Sequence, residues 1–361
     1  MRRCKGTGQS GHSNCYKHYS MAKSPSSVIG IDIGRYALKA VVMQRKSHQK
    51  LVLTHYAVRE LTAPIETSEQ IFTEVKALIA AAGGTAKHLA AAVSGSDSII
   101  RIIEQPETPT EMLRNAIRIN GPSLLNQDVR DYVLDCSMIP SADGAKREKA
   151  RYLVGGLRRK HIELLDDAFQ KEKADLEVLQ LSAIATFNAF EFAYDNVFNN
   201  EAFMLVDIGH QSSTIGVGVK KELILVRVLE YGGNALVEAL TASGGQTRAA
   251  ALQALEDGDE DSIEKARISL AALTREISSS IGFFEGRREE NISRVFVSGG
   301  AAGSRAVLQV MAEELHMPCM AWNPLERCEV ALAEDKKNEL AYDVVNLHAA
   351  CGVAIEFLKK S

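Results

Sequence analysis

No apolar run in this chain approaches the ~20 residues that a membrane-spanning helix needs, so no transmembrane segment is expected. Basic residues are not in excess either. The 42 Lys and Arg stand against 46 Asp and Glu, a net charge of -4, which argues against a nucleic-acid-binding protein. The six cysteines (Cys4, Cys15, Cys136, Cys319, Cys328 and Cys351) show neither paired nor Cys-x-x-Cys spacing. They read as reduced thiols of a cytosolic protein rather than as a disulfide framework. Residues 1–27 have almost no aliphatic side chains and lack the apolar core of a secretory signal. Rich in Gly, Ser, Lys, Arg and His, they are expected to form a disordered N-terminal extension. Cys4, His12, Cys15 and His18 fit the spacing of no common zinc finger. Met21 stands just before the first strand, so a natural start is expected there, with residues 1–20 an upstream extension or an artefact.

Against these absences stand an ordinary globular composition and one repeated motif. Apolar residues make up 46% and charged residues 24% of 361 positions, long enough for two or more domains. Val28-Ile29-Gly30-Ile31-Asp32-Ile33-Gly34 recurs as Met204-Leu205-Val206-Asp207-Ile208-Gly209, the aspartates lying 175 positions apart (207 minus 32). Each run passes through a polar loop into a second β-rich stretch, Leu38 to Met43 and Thr214 to Val219. The pattern predicts two β-hairpins with glycine at the tip, where a ligand can approach the backbone. One Asp-x-Gly after a buried strand is usually a turn; two with the same spacing point to a site. Two such hairpins facing each other can hold a polyphosphate on backbone N–H groups, and Mg2+ through waters on the aspartates. A third element, Arg294 to Gly303 (RVFVSGGAAG), is a strand running into a glycine-rich turn, with a helix from Ser304 to Leu315 behind it. Adenine and ribose could lie against such a turn.

Periodicity fills in the rest. Strands are expected from Val28 to about Val58, at His88 to Val93 and at Ile99 to Glu104, with a helix from Ser68 to Ala82. After Gln105-Pro106 comes a compact block: a helix from Thr110, as N-cap, to Leu125; strands Asp131 to Ile139 and Ala150 to Gly155 around Ser141-Ala-Asp-Gly; a helix Lys160 to Lys173; and a closing strand Leu176 to Leu181. Ser182 to Tyr194 reads as a buried connecting helix, and Leu223 to Leu229 as a third strand after the second hairpin. Helices are expected at Ala235 to Leu255, Ser262 to Arg287 and Val344 to Lys360. The acidic run Glu256 to Asp261 lacks the ligand spacing of a calcium loop and reads as solvated surface.

Two phosphate-type hairpins followed by an adenosine-type turn resemble the actin-like ATPase superfamily. The αββαβ block after Pro106 narrows the resemblance to the FtsA/PilM branch, which carries such a subdomain, 1C, at that place. Asp131-Tyr132-Val133-Leu134-Asp135, Gly155-Gly156-Leu157, Thr274 to Phe284 and Asn323-Pro324 are similar to PilM family segments. The terminal stretch Ala350-Cys351-Gly352-Val353-Ala354 resembles the last helix of PilM rather than the membrane-binding tail of FtsA. The resemblance implies an α/β, actin-like (ribonuclease H-like) two-lobed fold with an inserted αββαβ 1C-type subdomain. The first lobe (1A) would span 28–104 and 177–202 with the C-terminal helix 341–361, and the insertion 105–176. The second lobe (2A) would span 203–234 and 288–340, with 235–287 as its helical subdomain (2B).

By the same resemblance the chain would be a cytoplasmic ATP-binding adaptor of a type IV pilus, or related type II secretion, inner-membrane assembly platform. It would bind the N-terminal peptide of a PilN-like membrane protein and meet other platform proteins. Neither nucleic acid nor direct membrane insertion is implied, and self-association stays open. Asp32 and Asp207 would hold Mg2+ through water, and Gly34, Gly209 and Thr214 would shape the phosphate loops. Gly299, Gly300 and Ala301 would face adenine, with Gly232 and Gly233 near the ribose and α-phosphate. Lys39 stands where the family has lysine, or is a strand lysine pointing to solvent. Three departures bear on chemistry. Arg35 replaces the usual Ser or Thr after Asp-x-Gly and either grips the γ-phosphate or fills its space. Ala249 to Gln253 lacks the Glu and Lys of the family's AE-x-x-K segment. No residue stands out to orient an attacking water, so at most a weak ATPase is expected. A nucleotide-free structural adaptor and an actin-fold small-molecule kinase remain the alternatives, the insertion counting against the kinase.

Overall fold

The computed structural model describes residues 25–47, 50–83, 87–95, 98–141, 148–170, 175–242, 244 and 247–360. The expected N-terminal extension, with Cys4, His12, Cys15 and His18, and the loop following Ser141 lie outside the described residues. In chain order the first elements are β1 (Ser27–Ile33), β2 (Ala37–Ser47), β3 (Lys50–Glu60), α1 (Ser68–Ala82), β4 (His88–Val93) and β5 (Ile99–Gln105). Then come α2 (Thr110–Leu125), β6 (Tyr132–Ile139), β7 (Ala150–Arg158), α3 (Arg159–Phe169), β8 (Asp175–Leu181), α4 (Ser182–Ala193) and α5 (Asp195–Asn200). The second half holds β9 (Ala202–Ile208), β10 (Ser213–Val219), β11 (Glu222–Leu229), α6 (Gly233–Thr241), α7 (Arg248–Glu256), α8 (Glu260–Glu285) and β12 (Val295–Ser298). It ends in α9 (Arg305–Leu315), β13 (Cys319–Ala321), β14 (Glu329–Val330), α10 (Glu334–Asp343) and α11 (His348–Lys360).

The sequence repeat is a structural repeat. One sheet runs β14-β3-β2-β1-β4-β8 and the other β11-β10-β9-β12-β13. In each, the hairpin strands pair antiparallel and the next two strands pair parallel to the first, β1 with β4 and β8 beyond it, β9 with β12 and β13 beyond it. The register repeats as well. Asp32 lies opposite Lys39, and Asp207 opposite Thr214. The apolar runs that made these strands legible are buried on both faces, as central strands under helices must be: Val28 to Ile31 and Phe203 to Val206 are all buried.

The inserted block follows its expected αββαβ order along the chain, but its strands pair differently. Its three-stranded sheet is β5-β7-β6, so β5, expected in the first lobe, belongs to the insertion, and a boundary at 105 cuts that sheet. The closing strand β8 leaves the block and pairs with β4 of the first lobe. Local periodicity cannot distinguish these cases, because strand pairing is decided by distant partners. Three helix boundaries also differ. Thr110 is the first residue of α2 behind Pro109 and makes no cap bond. The stretch expected as one helix from Ala235 to Leu255 is two, α6 and α7, broken around Gly244 at φ 76°. Val344 to Asn346 form a 3-10 turn before α11 begins at His348.

Helix starts follow the capping rules elsewhere. Thr67 and Gln70 form a reciprocal capping box on α1, Asp259 caps α8 and Ser304 caps α9. The described cysteines are all free thiols. Burial pushes Cys319 and Cys328 up to about 12 and Cys351 well above the usual thiol value, so none is a ready nucleophile at neutral pH. No single helix among the described residues is long and apolar enough to cross a membrane.

Candidate functional site

The two Asp hairpins open onto one cleft of about 740 Å3 between the lobes. Of the residues singled out from sequence, Asp32, Gly34, Arg35, Lys39, Asp207, Gly209, Thr214, Gly233, Gly299, Gly300 and Ala301 line it. Gly232 does not. A Cβ there would meet His210 O at 2.3 Å and Gln211 N at 2.6 Å, so this glycine lets α6 dock under the second loop instead of facing a ligand. The first amides of α6 are spent the same way: Gly233 N–H donates to Gly209 O at 2.8 Å and Asn234 N–H to His210 O at 2.9 Å.

Both aspartates are positioned by serines that composition and spacing did not single out. Ser182 Oγ, at the start of α4, donates to Asp32 Oδ1 at 3.0 Å. Lys39 Nζ donates to Asp32 Oδ2 at 2.9 Å, so Lys39 turns into the cleft rather than to solvent, as its cross-strand register dictates. Ser298 Oγ, at the end of β12, donates to Asp207 Oδ1 at 2.7 Å. Desolvation raises the Asp207 carboxyl above the usual carboxylate value and the nearby Asp32 charge adds to this, while the Ser298 bond and Lys39 oppose it. A cation or ligand donor at Asp207 would restore its charged form.

The glycine turn is shaped by close approach. Gly299 sits at φ 88°, and a Cβ there would lie 2.2 Å from Ile208 O. Glycine is required by both backbone conformation and space. Its N–H donates to Val345 O at 3.0 Å, which ties the turn to the 3-10 segment before α11. There His348 Nε2 meets Trp322 O at 2.9 Å, and burial lowers the imidazole to about 4, so it is neutral at physiological pH.

Arg35 is exposed at the hairpin tip. It rims the cleft and does not fill it. The charges missing from Ala250 and Gln253 reappear at the two ends of the same helix. Arg248, Leu252 and Glu256 stand four apart on one face of α7 and all line the cleft. Glu256, expected as plain solvated surface, accepts from Ser304 Oγ at the cap of α9. The four-residue spacing from Arg248 to Glu256 was the signal that could have found them.

The residues present fit a polyphosphate with a divalent cation. Glycine turns exclude Cβ atoms from Gly34, Gly209 and Gly299, where the nearest backbone oxygens would be 2.7, 2.8 and 2.2 Å away. Arg35, Lys39, Arg248 and Arg305 supply positive charge around Asp32 and Asp207. Thr186 Oγ1 is buried without a hydrogen-bond partner on the wall of the cleft, a polar atom that a bound water or ligand oxygen would satisfy.

The family model described as type IV pilus assembly protein PilM matches residues 30–358. Among solved structures, a PilM-PilN type IV pilus biogenesis complex superposes with TM-score 0.78 at 21% identity, covering 92% of this chain and 98% of that chain. A diol dehydratase-reactivating factor in nucleotide-free form gives TM-score 0.52 at 10% identity, over 92% of this chain and 100% of that one. The ethanolamine utilization protein EutJ from Carboxydothermus hydrogenoformans gives 0.49 at 14%, over 92% and 90%. Comparison with curated protein sequences gives no match. The fold is that of the actin-like ATPases.

Proposed function

The chain belongs to the PilM family of type IV pilus assembly proteins, and we propose that it is a cytoplasmic adaptor that binds Mg-ATP between its lobes. In that role it would take up the N-terminal peptide of a PilN-like membrane protein, which would hold it at the inner membrane. The observation that carries the nucleotide half is the pair of Asp hairpins in identical register across one cleft, with the Gly299 turn on the same cavity. In this reading Asp32 and Asp207 orient the waters of Mg2+, and Lys39 moves from Asp32 toward phosphate. Gly299 to Ala301 support the adenosine, and Arg35 grips the terminal phosphate from the rim. A nucleotide-free adaptor is favoured by one observation: both Asp32 oxygens are already occupied, by Lys39 and Ser182.

Thermal unfolding with and without Mg-ATP separates the two. At about 100 times its Kd the nucleotide should add ~2.7 kcal/mol, and Asp207→Ala should remove that gain while leaving the unliganded melting temperature within a few degrees. No shift with the wild-type chain at millimolar Mg-ATP would leave the nucleotide-free adaptor.

The partner half rests on the resemblance to PilM and on the name of the PilM-PilN complex. By that resemblance the peptide would lie in a groove between the insertion and the first lobe, lined by Ile99 to Ile103 and the helices of the insertion, and the first part of that lining needs correction. Ile99, Ile100 and Ile103 are buried inside the protein, because β5 is a member of the inserted sheet. Among the described residues of the insertion, the large apolar side chains that are exposed are instead Met112 and Ile119 on α2 and Met138 on β6. A labelled N-terminal peptide of the PilN-like protein should bind the full chain saturably. Met112→Asp with Ile119→Asp should weaken it if α2 is the seat; an unchanged affinity would place the peptide elsewhere, and no binding at all would end the adaptor reading.

A further inference from the structure

Three side chains meet where the two hairpin tips come together, and the phosphate cradle does not account for them. Tyr36 belongs to the loop between β1 and β2, His210 to the loop between β9 and β10, and Arg248 opens α7. The Tyr36 and His210 rings stack with centroids 5.1 Å apart and planes 27° from parallel. The Arg248 guanidinium lies over the other member of the trio, its Cζ 4.8 Å from the Tyr36 centroid. Each ring is anchored to its own lobe. Leu61 N–H donates to Tyr36 O at 2.9 Å, and Asn234 N–H to His210 O at 2.9 Å. Burial, followed by the hydrogen bond to Glu60, raises the pKa of the Tyr36 hydroxyl. Burial followed by the Arg248 charge lowers His210, which keeps a neutral ring against tyrosine. The stack is therefore a contact between lobes, and all three residues line the cleft.

We propose that Tyr36, His210 and Arg248 form a gate over the phosphate end of the cleft, opened by a polyphosphate that draws Arg248 off the Tyr36 ring. The proposal rests on the nucleotide reading above and adds its control of entry. Arg248 has two alternative partners in reach of one helix end: an aromatic face, worth little in water, and a phosphate, which makes a stronger charge-assisted bond. When the guanidinium leaves, the stack loses its cap and the tips can part. When the phosphate leaves, Arg248 returns and the tips close.

The test uses the full chain and a fluorescent ATP analogue in stopped flow. Tyr36→Ala should raise the association and dissociation rate constants together, each by about tenfold, the size expected for losing one stack and one cation–π contact. Tyr36→Phe keeps the ring and should stay within about twofold of wild type. Arg248→Ala should speed both steps and also weaken ATP more than AMP, since only the longer phosphate chain reaches the gate. Rates unchanged in Tyr36→Ala, or a change in dissociation alone, would overturn the gate. Amide hydrogen exchange gives a readout that needs no nucleotide. Tyr36→Ala should speed exchange at 209–213 on the opposite lobe as well as at 34–37. Acceleration confined to its own loop refutes the contact between lobes. If the wild-type chain binds no analogue at all, the nucleotide reading falls and the gate with it, while the exchange result still decides whether the tips are coupled.

Discussion

Gly352→Ala is expected to cost on the order of 3 kcal/mol or more, the upper range for overpacking a core, and so to remove a large share of the ~5–15 kcal/mol that holds a domain folded. The reason is that the obstacle is backbone. A Cβ on Gly352 would lie 1.7 Å from Ala185 O and 2.5 Å from Ala185 C, and a carbonyl inside α4 cannot rotate away as a side chain can. Helices α4 and α11 would have to separate. Because α11 is buried along almost its whole length and packs on β1, the strand carrying Asp32, separation would also disturb the cleft. Gly282→Ala is the control. Gly282 lies within α8 with nothing inside 4 Å of the added methyl, so there alanine should stabilise by roughly 0.5–1 kcal/mol through helix propensity. Guanidinium unfolding of both variants checks the contrast. A Gly352→Ala protein within about 1 kcal/mol of wild type would mean that the helices re-space cheaply, contrary to the usual cost of overpacking.

Gly352 also shows how far sequence could go. Its place in the middle of a terminal helix was visible, but the reason for it lies in the helix on the other side, which no local pattern reports. The same division runs through the fold. The two hairpins were legible because a repeated apolar run and a repeated Asp-x-Gly specify strand, face and turn at once, and α1 and β4 fall on the residues their periodicity marked. The membership of β5 and β8 was not, since parallel and antiparallel pairing is settled by partners dozens of positions away. At the site, residue types with strong signatures were found: the aspartates, the lysine opposite one of them, the glycine turn. Residues that act by placement were missed. Ser182 and Ser298 look like any helix start and strand end, and become significant only when an aspartate oxygen lies 3.0 or 2.7 Å away. Gly232 erred in the other direction. A glycine pair reads as ligand-facing, while one of the two serves the packing of a neighbouring loop.

Arg151→Ala is the second large expected loss, and it bears on how the insertion belongs to the molecule. Arg151 stands on β7 of the inserted sheet. Its Nη1 donates to Glu222 Oε1 at 2.6 Å and its Nη2 to Ile224 O at 2.7 Å, both on β11 of the second lobe. The Glu222 side chain is 1% exposed and that of Arg151 11%. Arg288 stands farther from the same carboxylate, at 3.8 Å. Alanine at 151 removes a 2.6 Å partner from the buried Glu222 carboxylate, a change that costs about 3–5 kcal/mol when a buried pair is broken. Removing both charges together, as Arg151→Met with Glu222→Leu, should cost far less, because a buried pair and an apolar replacement of similar volume are close in stability. Denaturant unfolding of the two single variants and the double one measures the coupling. If the single losses simply sum to the double, the pair contributes nothing jointly and the insertion is held by its apolar contacts alone. If the double variant is the more stable, the charges fix the angle at which the insertion meets the second lobe. Since the insertion grows out of the first lobe between β4 and β8, it then braces the two walls of the cleft against each other.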